Sequence, residues 1–299
     1  MAVATAGAGL EPGVRAELLA VLAADSDPAV REKAQNALLS VPQEALLEAA
    51  KIPDGAAALF DYVTANVKDR AVLAAALAAN PGAPGSALAK VAEHLPPAAV
   101  QALVDSLERL ADAPELVTAL KDRPDLTLEQ KRTFEELTKE TDRETLEKNL
   151  GDGEPDPIKR QTLTQRLAGM NVIQRLTLAL KGGKEERMAL IRDPNKLVQR
   201  AVLQSPRLTT LEVEAFSAMT NVTEEVLRAI SLNRNYIKNY AVVRNLVNNP
   251  KTPVDVSLHF IQRLVTTDQK KLSMNKNVPE TIRTTVVKIL RQKAVKGET

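Results

Sequence analysis

The feature that most constrains this chain is a punctuation that recurs along it. A short helical stretch ends in Asn or Ser followed by Pro, a brief turn follows, and Thr or Pro opens the next stretch. It reads Asn80-Pro81-Gly82-Ala83-Pro84, Ser205-Pro206-Arg207-Leu208-Thr209 and Asn249-Pro250-Lys251-Thr252-Pro253, with shortened forms at Asn221-Val222-Thr223 and Asn277-Val278-Pro279. Asn and Ser cap helix ends, and Pro cannot continue the helix before it. A chain cut this way buries the apolar face of each short helix only against its neighbours. The core material agrees. The sequence is 44% hydrophobic but only 2% aromatic, with no Trp, three Tyr and four Phe. Ala, Leu and Val must fill the core, and small side chains on good helix formers let helices approach closely. A β-sandwich would want aromatic and β-branched strands. The expected fold class is all-α.

One stretch carries a more specific pattern. In Asp27-Pro28-Ala29-Val30-Arg31-Glu32-Lys33-Ala34-Gln35-Asn36-Ala37-Leu38, Asp27 suits a helix cap, Pro28 suits the first turn, and Val30, Ala34, Ala37 and Leu38 share one face. The string Asp-x-x-Val-Arg-x-x-Ala-x-x-Ala-Leu resembles the second helix of a HEAT repeat. That resemblance implies an α-solenoid of HEAT/armadillo-like repeats, with Asp27 and Arg31 bonding between neighbouring repeats. The pattern returns at Asp193-Pro194-Asn195-Lys196-Leu197-Val198-Gln199, where matching Val198 to Val30 requires two inserted residues and puts Gln199 where Arg stands. The helix–turn units are also similar to the leucine-rich-repeat variant family of bacterial repeat proteins. Members of that family that carry an iron–sulfur cluster need cysteines, and this chain has none.

Two related halves are expected. Pro81 and Pro124 lie 43 residues apart, Pro206 and Pro250 lie 44 apart, and the pairs are offset by about 125 residues. A unit of about 44 residues fits HEAT/armadillo dimensions. The run Gly151-Asp152-Gly153-Glu154-Pro155-Asp156-Pro157 has the composition of a linker. The expected organisation is therefore an acidic helical-repeat domain over 1–150, with residues 1–12 as a disordered tail, a linker over 151–165, and a basic helical-repeat domain over 166–299.

Charge divides the same way. Residues 1–156 hold 15 Lys/Arg against 27 Asp/Glu (−12), and residues 157–299 hold 25 against 11 (+14), so the overall +2 conceals an asymmetry. A basic half either meets a polyanion or is a solvated surface. The candidate partner-binding residues are Arg228, Arg234, Lys238, Arg244, Lys251, Arg263, Lys270 and Lys271. Arg234 and Lys238 are four apart and are expected on one helix face, with Asn235 and Asn239 beside them as further phosphate-binding groups.

Little else carries chemistry. Without Cys there are no disulfides, zinc–thiolate sites or thiol nucleophiles. His94 and His259 have no second His or Cys at ligand spacing. Adjacent acids such as Glu135-Glu136, Glu185-Glu186 and Glu224-Glu225 do not share a helix face. Gly182-Gly183-Lys184 lacks the rest of a phosphate-binding loop and is expected to stop a helix. The expectation is thus a non-catalytic, cytoplasmic scaffold or adaptor with no metal, cofactor or membrane span, holding a protein or peptide partner. The second reading is a nucleic-acid-binding protein acting through residues 157–299.

Overall fold

In the computed structural model the described residues are 9–139, 146, 149, 150 and 157–296. Among them there is no strand, and twenty α-helices and three short 3-10 turns are described, as the composition predicts. It divides into two units, residues 1–138 and 139–299. Their formal charges are −8 (12 Lys/Arg, 20 Asp/Glu) and +10 (28 Lys/Arg, 18 Asp/Glu).

The first unit contains α1 Pro12–Leu22, α2 Pro28–Leu39, α3 Gln43–Ala49, α4 Ala57–Asn66, α5 Arg70–Ala79, α6 Gly85–Ala89, α7 Pro97–Ser106, α8 Glu108–Asp112, α9 Pro114–Lys121 and α10 Leu128–Thr138, with a 3-10 turn at Ala92–His94. The second contains α11 Pro157–Ala168, α12 Val172–Lys181, α13 Lys184–Leu190, α14 Lys196–Gln204, α15 Thr210–Ala218, α16 Glu224–Leu232, α17 Tyr240–Asn248, α18 Val254–Phe260, α19 Thr266–Met274 and α20 Glu280–Lys296, with 3-10 turns at Tyr236–Lys238 and Ile261–Arg263. The expected tail 1–12 and linker 151–165 need correction. Residues 1–8 and 151–156 lie outside the described residues, but Pro12 opens α1 and residues 157–165 belong to α11. A proline at the first helical position starts a helix rather than breaking it.

Side-chain caps fix the starts of several of these short helices. Asp27, Asp69, Asn195 and Asn239 each accept a backbone N–H with their side chain as N-caps. Asn171 and Gln174 exchange reciprocal bonds of 2.8 and 3.0 Å at the start of α12, and Thr209 and Glu212 do the same at α15. Such short helices are marginal alone and are held by packing. Leu, Val and Ala supply most of that core: Leu59, Val63, Leu73, Leu77 and Leu116 in the first unit, and Leu176, Val198, Val213, Leu227, Val242 and Leu246 in the second.

Packing is local in sequence. The main helix–helix contacts join helices at most three positions apart, such as α1 with α3, α12 with α14, α15 with α17 and α19 with α20. In the second unit, side-chain bonds link alternate helices into two rows. Arg187 on α13 forms a 2.9 Å ion pair with Glu212 on α15. Asn245 on α17 donates to the Glu214 carbonyl of α15 at 3.1 Å, and the Tyr240 hydroxyl of α17 donates to Asp268 of α19 at 2.5 Å. In the other row, Lys196 on α14 pairs with Glu225 on α16, and Arg228 on α16 with Asp255 on α18, at 2.5 and 2.9 Å. Helices α13, α15, α17 and α19 begin at residues 184, 210, 240 and 266, intervals of 26, 30 and 26.

The same bonds recur in both units. Asp25 Oδ1 accepts the Asp27 N–H, Asp27 caps α2 through the Ala29 N–H, and Arg31 donates to the Asp25 carbonyl. In the second unit, Asp193 accepts Asn195 N–H, Asn195 caps α14 through Leu197 N–H, and Gln199 donates to the Asp193 carbonyl. Buried Asn80 accepts Gly82 N–H and donates to the carbonyls of Ala50 and Ile52; buried Asn249 accepts Lys251 N–H and donates to those of Ser217 and Met219. The pairs Asp25/Asp193 and Asn80/Asn249 set the offset at 168 and 169 residues, not about 125. Aligned this way, Gln199 stands opposite Arg31 with no insertion. Arg31 bonds within its own turn and not to a neighbouring helix pair, whereas Gln199 also accepts from Thr223 at 2.6 Å.

Candidate functional site

The eight basic residues singled out from sequence do not fall on one surface. Arg228 on α16 is held between Asp255 and Glu224, at 2.9 and 3.5 Å, and these pairs raise its pKa while neutralising its charge locally. Arg244 on α17 and Lys270 and Lys271 on α19 are exposed helix residues. Lys251 lies in the turn between α17 and α18. Arg234 and Lys238 do not share a helix face as expected: Arg234 lies in the turn after α16, Lys238 in the following 3-10 turn, and α17 starts only at Tyr240. The cause is the cap pair there. Asn233 accepts the Asn235 N–H at 3.0 Å and Asn239 caps α17, so the chain between them is folded as a turn. Asn239 also donates to Glu214, which leaves it a structural residue rather than a phosphate ligand.

What the structure does bring together is one edge of the second unit. Four successive turns feed the α13, α15, α17 and α19 row: Gly182-Gly183, Ser205–Thr209, Asn233–Asn239 and the segment ending at Val265. Bonds tie each to the next. Arg207 Nη1 donates to the Lys181 carbonyl at 2.9 Å, and Arg187 Nη2 to the Arg207 carbonyl at 3.2 Å. The Tyr236 hydroxyl donates to the Leu203 carbonyl at 3.4 Å, and Arg263 Nη2 donates to the Ile237 carbonyl at 2.5 Å. Each turn carries or adjoins an exposed cation: Lys181 at the end of α12, then Arg207, Arg234 and Arg263, at sequence intervals of 26, 27 and 29. Lys184 and Lys238 lie beside them, also exposed. Lys181 and Arg207 were missed by the sequence reading, although their repeat spacing was there to find.

The edge is also apolar. Leu211 at the start of α15, Leu232 at the end of α16 and Val265 before α19 are 73%, 76% and 52% exposed. The two aromatic rings nearby are engaged: Tyr236 as above, and Tyr240 through its bond to Asp268 and a 3.2 Å bond accepted from Val265 N–H. Burial raises the pKa of both phenols, and for Tyr240 the Asp268 bond adds to it, so both stay protonated at neutral pH. Of the acids near the edge, Glu185 is exposed, while Glu212 and Glu186 are committed within the fold. Burial pushes Glu212 up, but hydrogen bonds from Arg187 and Thr209 outweigh it and hold the carboxyl below its ordinary value. Glu186 is likewise held low, burial being outweighed by Arg166 at 2.7 Å and the Gly183 N–H. Gly182 and Gly183 end α12 and open α13, as the sequence suggests.

The first unit offers a different surface. An apolar groove of about 280 Å³ is lined by Ala78, Ala79, Leu88, Ala99, Ala102 and Leu103. Its cation, Arg109, is turned to the carbonyls of Ala78 and Asn80. His94 and His259 are both exposed, His259 edge-on to the Phe260 ring. No helix among the described residues is long and apolar enough to cross a membrane. Comparison with protein-family models, curated proteins and solved structures finds no match to this chain.

Proposed function

We propose that the protein is a non-catalytic scaffold built as HEAT/armadillo-like α-solenoid, and that the turn edge of its second unit docks an extended acidic polypeptide. The local packing, the two rows of alternate helices and the 168-residue recurrence support a solenoid. The repeat of 26–30 residues is shorter than the ~40–47 of HEAT and armadillo units. A likeness to those families is therefore one of plan, not of repeat length.

The observation that carries the function is the ladder Lys181, Arg207, Arg234, Arg263 with Leu211, Leu232 and Val265 set among its rungs. Packed helices lie ~8–10 Å apart, so successive rungs stand at about that spacing. A peptide in polyproline II conformation has three residues per turn and advances ~3.1 Å per residue, so an acid at every third position lies on one face and meets every rung. The intervening side chains then have aliphatic partners. A nucleic acid has little use for exposed Leu and Val and prefers aromatic rings for stacking, and both tyrosines here are engaged in internal bonds.

The test is a titration of the full chain with three probes of equal charge from low to high salt. These are a peptide with Asp at every third position and Leu between, a scrambled peptide of the same composition, and a short DNA. The account expects the spaced peptide to bind most tightly. Equal affinity for the scrambled peptide removes the register argument. Tighter binding of DNA, with affinity falling steeply as salt rises, replaces the proposal with the nucleic-acid reading.

A further inference from the structure

The 168-residue recurrence sets a covered face of the second unit opposite an open one in the first. In the second unit α12 buries Val172, Leu176, Ala179 and Leu180, packs on α14, and brings Arg175, 1% exposed, to Asp193. Both oxygens of Asp193 are engaged: Oδ1 accepts the Asn195 N–H and Oδ2 accepts the Arg175 Nε–H, each at 2.8 Å. Around this contact Ala189, Leu190, Ile191, Asp193, Val198 and Ala201 are at most 1% exposed. At the same offset the first unit presents Val21, Leu22, Ala23, Asp25, Val30 and Lys33 on α1 and α2 and the turn between them. Val21 is 44% exposed, Lys33 is exposed and the other four are half-buried. Asp25 Oδ1 accepts the Asp27 N–H at 2.8 Å, as Asp193 accepts that of Asn195, but no cation among the described residues pairs with its carboxylate. Arg31 turns to its backbone carbonyl instead.

The covered face says what the open one fits. Burial of Val21, Leu22, Ala23 and Val30 against an apolar helix face is favourable, and a helix lying in such a groove is anchored at i, i+4, i+7 and i+8. An arginine reaching the free oxygen of Asp25 would be shielded from water by the same contact and would fix the register. We propose that the α1–α2 face of the first unit docks an amphipathic helix of a partner protein, with an arginine for Asp25 and apolar residues three before it and one, four and five after it. That is the spacing of Val172, Arg175, Leu176, Ala179 and Leu180 in α12. The chain's own residues at the matching offset lack it: Ala4, Gly7 and Ala8 stand where Val172, Arg175 and Leu176 do. Lys33, where the second unit has Ala201, favours a partner with an acid at that point. The face belongs to the other unit from the ladder and takes a helix rather than an extended chain, so the two readings fail separately.

The experiment titrates the full chain with a fluorescent peptide copying residues 170–182, cross-linked between positions 174 and 181 to hold it helical. Gln174 and Lys181 are exposed on α12, so the cross-link stays off the docking face, and a preformed helix does not lose affinity to folding. The parent is expected to bind. Asp25→Asn keeps an acceptor for the Asp27 N–H and removes the charge, and should weaken binding about tenfold, as for one charge-assisted hydrogen bond. Met in place of the peptide's arginine should do the same, and both changes together should weaken binding about as much as either alone. Val21→Glu should weaken it at least as much. Leu39→Glu, at a position 80% exposed whose counterpart Arg207 is also exposed, should leave it unchanged. Lys33→Ala, which copies Ala201, should tighten it. Thermal melting of each variant shows whether it is folded. A parent that does not bind the helical peptide, or folded Asp25→Asn and Val21→Glu variants that bind it like the parent, overturns the proposal. Losses that add in the double variant overturn the pairing of Asp25 with the arginine.

Discussion

Replacing Asn249 with Ala removes one side chain but disconnects three backbone groups. Its amide donates to the carbonyls of Ser217 at 3.0 Å and Met219 at 2.7 Å, and its oxygen accepts from Lys251 N–H at 3.0 Å. The residue is only 4% exposed, so water reaches these groups poorly once the amide is gone. A buried hydrogen bond contributes a net ~1 kcal/mol, so the expected loss is about 3 kcal/mol. That is a large part of the 5–15 kcal/mol typical of a folded domain. Asn80→Ala should cost the first unit the same, because Asn80 makes the equivalent bonds to Ala50 and Ile52 at 2.8 Å and to Gly82 N–H at 2.9 Å. Asp at either position keeps the acceptor but loses both donated bonds and buries a charge, so it should be at least as damaging. Asn221→Ala, at an exposed position, should change stability by less than about 0.5 kcal/mol. The assay is urea unfolding followed by far-ultraviolet circular dichroism. If Asn249→Ala unfolds within about 0.5 kcal/mol of the parent, the amide does not tie the ends of α15 and α17 together and the reasoning fails.

Three further outcomes follow from the same geometry. Glu212→Gln should destabilise the second unit at neutral pH, and the difference from the parent should vanish on acidification. Glu212 has a folded pKa below its unfolded value of ~4.3, so its contribution is present above that value and is lost as pH falls through the folded pKa. Equal losses at pH 3 and pH 7 (about 3 and 7, on the scale set by carboxylate pKa values) would contradict this. Leu38→Asp and Leu246→Asp place an unpaired charge at positions 2% and 0% exposed, and each should melt its own unit first; parent-like melting would show the residue is not core. Gly82→Ala should cost ~1–3 kcal/mol, since its Cβ would lie 1.3 Å from the Pro53 carbonyl oxygen. Gly169→Ala, whose Cβ meets only ordinary contacts at 3.6 and 3.7 Å, should be neutral or stabilising; denaturation midpoints that ranked the two the other way would refute the packing argument.

Helix content was legible from the sequence because Ala, Leu and Val periodicity and the Asn-Pro punctuation are local signals. Repeat register was not, because what recurs is a hydrogen-bonding capacity and not a residue. Gln199 Nε2 gives the Asp193 carbonyl the bond that Arg31 gives Asp25, and Asn195 caps α14 as Asp27 caps α2. Matching letters instead of donors paired Asp193 with Asp27 and forced an insertion that does not exist. The prolines misled in the same way: Pro81 corresponds to Pro250, after the paired Asn80 and Asn249, and not to Pro206. The candidate site was partly legible for a similar reason. Basic residues of the second half were visible, but a search along helix faces passed over Lys181 and Arg207, which lie at helix ends and in turns. Arg228 looked as available as Arg234 because its partner Asp255 is 27 residues away on another helix.

The central claim is that the four turn cations act together as one docking edge, and a charge-reversal scan tests it most directly. Lys181→Glu, Arg207→Glu, Arg234→Glu and Arg263→Glu would each be titrated with the Asp-spaced peptide, beside Lys251→Glu and Lys271→Glu from outside the edge. The account predicts that all four edge variants weaken binding by similar factors, while the two controls, equal in charge change, weaken it much less. If edge and control variants lose affinity alike, binding responds only to net charge and there is no docking edge.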